Sequence, residues 1–168
     1  MKKLFALMLA LCLVLCCTAV LAEDTMSGNY VALEKLGMQI FIFDSMVEDT
    51  EAQASEGTEL LYAWKAADGS EDAFRIEAVD LSEQGITTPE AFLAAVQATG
   101  KADSAEIVTL ESGLQVVLVT SAADNEICAS IVYDNGAVVG FTLSPIAGQE
   151  EAASMLLGYL MGTLAPLE

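Results

Sequence analysis

Ile127-Cys128-Ala129-Ser130-Ile131-Val132-Tyr133-Asp134-Asn135-Gly136-Ala137-Val138-Val139-Gly140-Phe141-Thr142-Leu143 is the stretch that decides the fold. Two apolar, β-branched runs flank Asp134-Asn135-Gly136, and the Asn-Gly step supplies the positive φ that a tight hairpin turn needs. Residues 127–133 and 137–143 are therefore expected to pair antiparallel. Ile131 and Val132 are adjacent and both apolar, as are Val138 and Val139. Successive strand side chains point to opposite faces, so apolar groups stand on both sides of this hairpin. A sheet with one wet face alternates more cleanly. Both faces should be covered, by helices or by another chain.

The same signals recur upstream. Residues 107–110 and 114–120 flank Glu111-Ser112-Gly113, with Val116 and Val117 again apolar on both faces. Residues 59–66 and 73–80 alternate with period two around Ala67-Asp68-Gly69-Ser70, and residues 30–35 and 38–43 flank Leu36-Gly37. Between these groups the period changes. Thr88-Pro89-Glu90 combines a hydroxyl cap, a proline where no N–H is needed and an early acid facing the helix dipole. Phe92, Leu93 and Val96 form one stripe, and Gly100 ends a helix expected over 89–99. Pro145 closes the sheet region. A last helix is expected over 150–164, with Leu156, Leu157, Leu160, Met161 and Leu164 apolar and Glu150 and Glu151 at its N-terminus. Gly158 and Gly162 stand four apart on it and suggest close packing on a sheet. The segment Leu33-Glu34-Lys35-Leu36-Gly37-Met38-Gln39-Ile40 echoes Leu110-Glu111-Ser112-Gly113-Leu114-Gln115-Val116. Duplication and a shared turn solution explain this equally well.

The expected class is α+β: an antiparallel sheet of about seven or eight strands with helices on both faces, an α/β/α sandwich in the order ββββ-α-βββ(β)-α. This order resembles the PsbP-like/DcrB-like fold family. The matching pieces are Leu36-Gly37-Met38-Gln39-Ile40-Phe41-Ile42, the Thr88-Pro89 helix, the Glu111-Ser112-Gly113-Leu114 hairpin, the Asp134-Asn135-Gly136 turn and Leu160-Met161-Gly162-Thr163-Leu164. They span nearly all of the chain after residue 22. Two departures stand out: Asp44 occupies a position where the family often has proline, and the family's extra N-terminal helix has no room. Known members are mostly binding or accessory proteins, so the resemblance implies such a role and transfers no site residue.

The N-terminus predicts an address. Met1-Lys2-Lys3 precedes an uncharged run from Leu4 to Ala22, which Glu23-Asp24 ends. Val20 and Ala22 stand three and one positions before that break. This is the pattern of a secretory signal peptide cleaved after Ala22, leaving residues 23–168 as a single acidic domain. An uncleaved anchor needs about 20 apolar residues, and the run nearly reaches that length. The cleavage signature favours removal, with no membrane span afterwards. Lipid anchoring fits poorly, because Leu15 precedes Cys16 and Cys16 precedes Cys17 where a small residue is wanted. The expected location is secreted or periplasmic.

Beyond Ala22 the chain holds 25 acidic residues against Lys35, Lys65, Arg75 and Lys101, a formal charge of −21. That charge repels nucleic acid and favours solubility, cationic partners or divalent cations. Cys128 is the only cysteine past the signal and sits in an apolar strand, so it reads as a buried inert thiol, with a homodimeric disulfide as the alternative.

The chain has no histidine. That removes Ser-His-Asp and Cys-His catalysis and histidine metal sites. No phosphate loop is present. Acid pairs remain, as a glycosidase uses, but with 25 acids they arise by chance, and Trp64 reads as core beside Leu60 and Tyr62. No catalytic residue and no cofactor is expected. The densest acidic segment gives weak calcium candidates in Asp44, Glu48, Asp49 and Glu51. Calcium takes six to eight oxygens, yet the spacing matches no calcium loop and lacks its turn glycine. A solvated loop is the plainer reading. The function expected is a non-catalytic exported domain, binding or accessory, at the envelope or outside the cell, with an unknown protein or cationic partner. The alternatives are a small carboxylate-dependent hydrolase and a self-associating subunit or homodimer.

Overall fold

The computed structural model describes residues 27–145 and 147–167. The expected signal peptide and its expected cleavage after Ala22 lie outside the described residues, as do three of the four cysteines. Among the described residues ten strands and two α-helices follow one another. They are β1 (Gly28–Leu33), β2 (Met38–Phe43), β3 (Met46–Glu48), β4 (Glu59–Ala66), β5 (Ala73–Asp80), α1 (Pro89–Thr99), β6 (Ser104–Thr109), β7 (Gln115–Ser121), β8 (Glu126–Val132), β9 (Ala137–Ser144), α2 (Glu150–Gly162) and β10 (Ala165–Pro166). The fold is α+β, as expected.

The strands divide into two sheets. Seven form an antiparallel sheet in the order β3-β4-β5-β9-β8-β7-β6, and three form a smaller one in the order β1-β2-β10. The seven-stranded sheet meets the expectation of about seven or eight antiparallel strands, and the first hairpin stands outside it. It leaves the main sheet and pairs instead with the chain just after α2, Ala165 opposite Gln39 and Pro166 opposite Met38. The Phe41 N–H also donates to Thr163 Oγ1 at 3.1 Å, which ties β2 to the end of α2.

Register assigns every side chain of the main sheet to a face, because directly opposed residues share one. Phe74 pairs with Leu143, Ile76 with Phe141, and Leu118 with Ala129. This face is dry. Trp64, Phe74, Ile76, Ile127, Phe141, Leu157, Leu160 and Met161 form one core with Leu33, Ile40 and Ile42 of the small sheet. Helix α2 and the small sheet together make its cover, where a helix alone was expected. Tyr62 helps join the layers, its hydroxyl accepting the Lys35 N–H at 3.0 Å.

The opposite face carries Val117, Ser130 and Val138, all buried, under α1, which packs on β6, β7 and β8. Helix α1 starts and ends where its sequence predicts. Thr88 accepts the Ala91 N–H, Pro89 stands in the first turn, and Gly100 is left-handed. None of its residues is fully buried, so this cover is thin. The segment leading into it is pinned at the β8–β9 turn, where the Leu81 N–H donates to the Gly136 carbonyl at 2.8 Å. Gly136 has φ +86, and a Cβ there would lie 2.5 Å from Ser82 Cα. Glycine is required at this position both by conformation and by space.

Two further corrections concern local readings. Helix α2 ends at Gly162 rather than Leu164. Gly158 and Gly162 do not lie close on a sheet: both are exposed, with open space where a Cβ would stand. Among the described residues, no helix is long and apolar enough to cross a membrane.

Candidate functional site: an aromatic surface beside an acidic-rimmed groove

Strand β2 reads Met-Gln-Ile-Phe-Ile-Phe, apolar at nearly every position. Alternation sends Ile40 and Ile42 into the core and leaves Phe41 and Phe43 on the outer side of the small sheet. Tyr30 stands opposite Phe41 in the register, their rings edge to face with centroids 5.7 Å apart. Gly28 stands opposite Phe43, and a side chain there would meet the Phe41 ring at 2.5 Å, so glycine lets that ring lie across β1. From α2, Tyr159 stacks on Phe43 at 5.7 Å and meets Phe41 edge to face at 6.1 Å. Met155 lies one turn earlier on the same helix. Tyr30 is 58% exposed, Tyr159 42% and Met155 66%. Tyr30, Tyr159 and Met155 are open to solvent and Phe41 and Phe43 half-buried between the two tyrosines, an apolar surface of the kind that marks interaction sites.

Phe43 also lines a groove of about 420 Å³ where the small sheet, the start of α2 and the β4–β5 turn meet. Its floor is Met46, Leu143, Pro145 and Leu156, with alanines 66, 67, 73, 152 and 153 keeping it open. Its rim is Asp68, Ser70 and Asp72. Ser70 donates its N–H to Asp68 Oδ1 at 2.9 Å and its hydroxyl to Asp72 Oδ2 at 3.2 Å. The bonds from Ser70 hold the Asp68 carboxyl below the usual carboxylate range. The rim is thus anionic at neutral pH. Among the described residues, no basic side chain lines the groove. Lys35 is held by Glu59, Lys65 by Asp49 and Arg75 by Glu126.

The acidic segment singled out from the sequence is built differently. Residues 46–48, expected in a loop, form edge strand β3, with Val47 opposite Lys65. Asp44 accepts from Asn29 Nδ2 at 3.2 Å. Asp49 accepts from Lys65 Nζ at 3.0 Å and from the Glu51 N–H at 3.2 Å, and the Lys65 ammonium lowers the pKa of its carboxyl. Glu48 and Glu51 point to solvent. Among the described residues, no three histidine, cysteine, aspartate or glutamate side chains gather to hold a metal ion.

Other expected residues fall as follows. Trp64 is buried and stacks between Tyr62 and Phe74, at 6.1 and 5.6 Å. Cys128 is half-buried on the α1 side, its Sγ 3.5 Å from Ser130 Oγ, and burial pushes its thiol pKa up, which suits an inert thiol. Glu126, on the same side, is the carboxylate whose pKa is raised. Burial is the chief cause, Arg75 opposes it, and Asp124 and Glu77 add to it. It is the one carboxyl tuned toward general-acid behaviour among the described residues, and it is tied to Arg75 away from the groove. The arrangement at the groove suits recognition: apolar anchors, a fixed anionic rim and a broad aromatic flank.

No protein-family model and no curated protein sequence matches the chain. Solved structures do. The yeast Ran-binding protein Mog1p, from Saccharomyces cerevisiae, aligns at 12% identity with a TM-score of 0.47, over 86% of this chain and 97% of its own. Cyanobacterial PsbP (CyanoP) from Synechocystis sp. PCC 6803 aligns at 12% identity over 86% of this chain and 95% of its own, with a TM-score of 0.55. The chain therefore has a PsbP-like fold.

Proposed function

We propose that the chain is a non-catalytic exported domain, binding or accessory in role, that works at the cell envelope or outside the cell. Its working surface is the layer built by the small sheet and α2, where it holds a protein partner. The observation that carries this reading is the exposed Tyr30, Met155 and Tyr159 with the half-buried Phe41 and Phe43 rings between the tyrosines, joined to the groove through Phe43. Aromatic and methionine side chains are enriched where proteins meet. The PsbP-like fold supports it, since members resembling this chain are mostly binding or accessory proteins. The finer DcrB-like assignment belongs to the same proposal, as does export by a signal peptide cleaved after Ala22. No cofactor belongs to this reading; heat on titrating the protein with millimolar calcium would add one at the Asp44–Glu51 segment.

The test is affinity capture from the native envelope with the wild-type chain and with Met155→Glu/Tyr159→Glu. The reading expects one protein recovered by the wild type and lost with the variant. Equal recovery by both would remove this surface from the account, and a concentration-dependent homodimer abolished by the same pair would make the partner a second copy.

A further inference from the structure

Building on this docking surface, we infer that the partner presents a basic amphipathic segment, an apolar side chain flanked by lysine or arginine, whose apolar group fills the groove and whose cations meet Asp68 and Asp72. Three observations converge. The groove floor is apolar, formed by Phe43, Met46, Leu143, Pro145 and Leu156, and about 420 Å³ accepts one large side chain with room to spare. The rim carboxylates are held in place by Ser70 and have no basic neighbour in the lining. Helix α2 brings no basic side chain to the lining, only Ala152, Ala153 and Leu156 after Gln149, and Lys35, Lys65 and Arg75 are each engaged elsewhere. An anionic rim on a domain of formal charge −21 steers and orients a cationic segment and rejects an acidic one.

A small lipophilic amine shares the groove's chemistry. The surface favours an extended occupant, because the apolar lining does not stop at the groove. It continues through Phe43 to Tyr159 and on to Tyr30. A segment seated in the groove reaches this flank, whereas a small amine leaves it bare.

The experiment titrates the full exported chain with a short synthetic peptide carrying a Leu-Phe pair between lysines, and with its counterpart in which glutamate replaces every lysine. The lysine peptide is expected to bind, more weakly as salt rises, and the glutamate peptide not to bind. Asp68→Asn/Asp72→Asn keeps the turn's acceptors and should weaken binding by roughly two- to thirtyfold at low salt. Ala152→Trp, on an exposed helix position, should abolish binding by filling the groove without unfolding the chain, as checked by circular dichroism. Equal binding of both peptides, or binding untouched by Ala152→Trp, would overturn the inference. Binding of octylamine as tight as that of the peptide and indifferent to Tyr159→Glu would overturn it in favour of a small-molecule site. Failure of the lysine peptide, with the envelope partner still captured through Met155 and Tyr159, would overturn this chemistry and leave the docking surface standing.

Discussion

The two layers that cover the seven-stranded sheet differ in what they turn outward. Helix α1 exposes no large hydrophobic side chain, and its own apolar residues Phe92, Leu93 and Val96 are only half-buried. The layer of α2 and the small sheet does the reverse. It buries Leu157, Leu160, Met161, Leu33 and Ile40 to nearly nothing and still shows Tyr30, Met155, Tyr159 and Leu167 to water. One layer closes a face. The other closes a face and offers a second apolar surface on its far side. Apolar groups beyond those that folding consumes are what a binding surface is made of.

The sharpest way to break this comparison is to truncate each layer. Leu157→Ala should cost about 2–5 kcal/mol, the range for a fully buried leucine. Leu93→Ala on α1 should cost about half as much or less, because its side chain is already partly in water. Urea midpoints at unchanged m-value give both numbers, and equal losses would mean that the α1 layer is no thinner than its partner.

Backbone anchoring supplies the next effect. The α1 side is held at the β8–β9 turn, so Gly136→Ala should cost about 1–3 kcal/mol for the forced φ, with added loss from displacing Ser82. Gly113, in the β6–β7 turn, has φ +84 but open space around its missing Cβ. Gly113→Ala should cost only that same conformational part, about 1–3 kcal/mol, with no added loss. A cost at Gly136 no larger than at Gly113 would show that the Ser82 contact anchors nothing.

The smallest effect is electrostatic. Burial raises the Glu126 pKa above the ordinary carboxylate value of 4.5. Its contribution to stability is therefore full below about 4.5 and is lost as pH climbs through the folded value. The exposed carboxylates of Asp68 and Asp80 are shifted the other way by their Ser70 and Ser82 bonds, and their contribution is lost as pH falls. Those groups are common to wild type and Glu126→Gln, so the difference in Tm between the two isolates Glu126. That difference should move against the wild type as pH rises from about 4.5. Movement toward the wild type would mean that the Arg75 pair outweighs burial.

Much of the fold could be read from residues, for local reasons. Residues 59–66 and 73–80 alternate cleanly around an Asp-Gly step, and the structure keeps those bounds. Thr88, Pro89 and Gly100 mark both ends of α1 by their own capping chemistry. The division into two sheets was hidden because β2 is apolar at every position but Gln39, and period two carries little message in so uniform a run. Strand β3 was masked by its acids, which suit an edge strand as well as a loop. The same uniformity concealed the working surface. Phe41 and Phe43 were legible as strand residues, but which side faced water depended on the partner β10, two residues long and, from Gln39 to Ala165, 126 positions away. The signal that was available lay in the doubly apolar strand itself: one of its two faces has to find company outside the sheet. Counting carboxylates pointed instead to Asp44–Glu51, where Lys65 already answers Asp49.

The most direct test places a photo-cross-linking residue at Tyr159, on the aromatic layer, and separately at Gln97, on the exposed side of α1, in the full chain expressed in its source cells. The account predicts a discrete protein adduct from position 159 and none from position 97. An adduct from position 97 alone, or the same adduct from both, would contradict it.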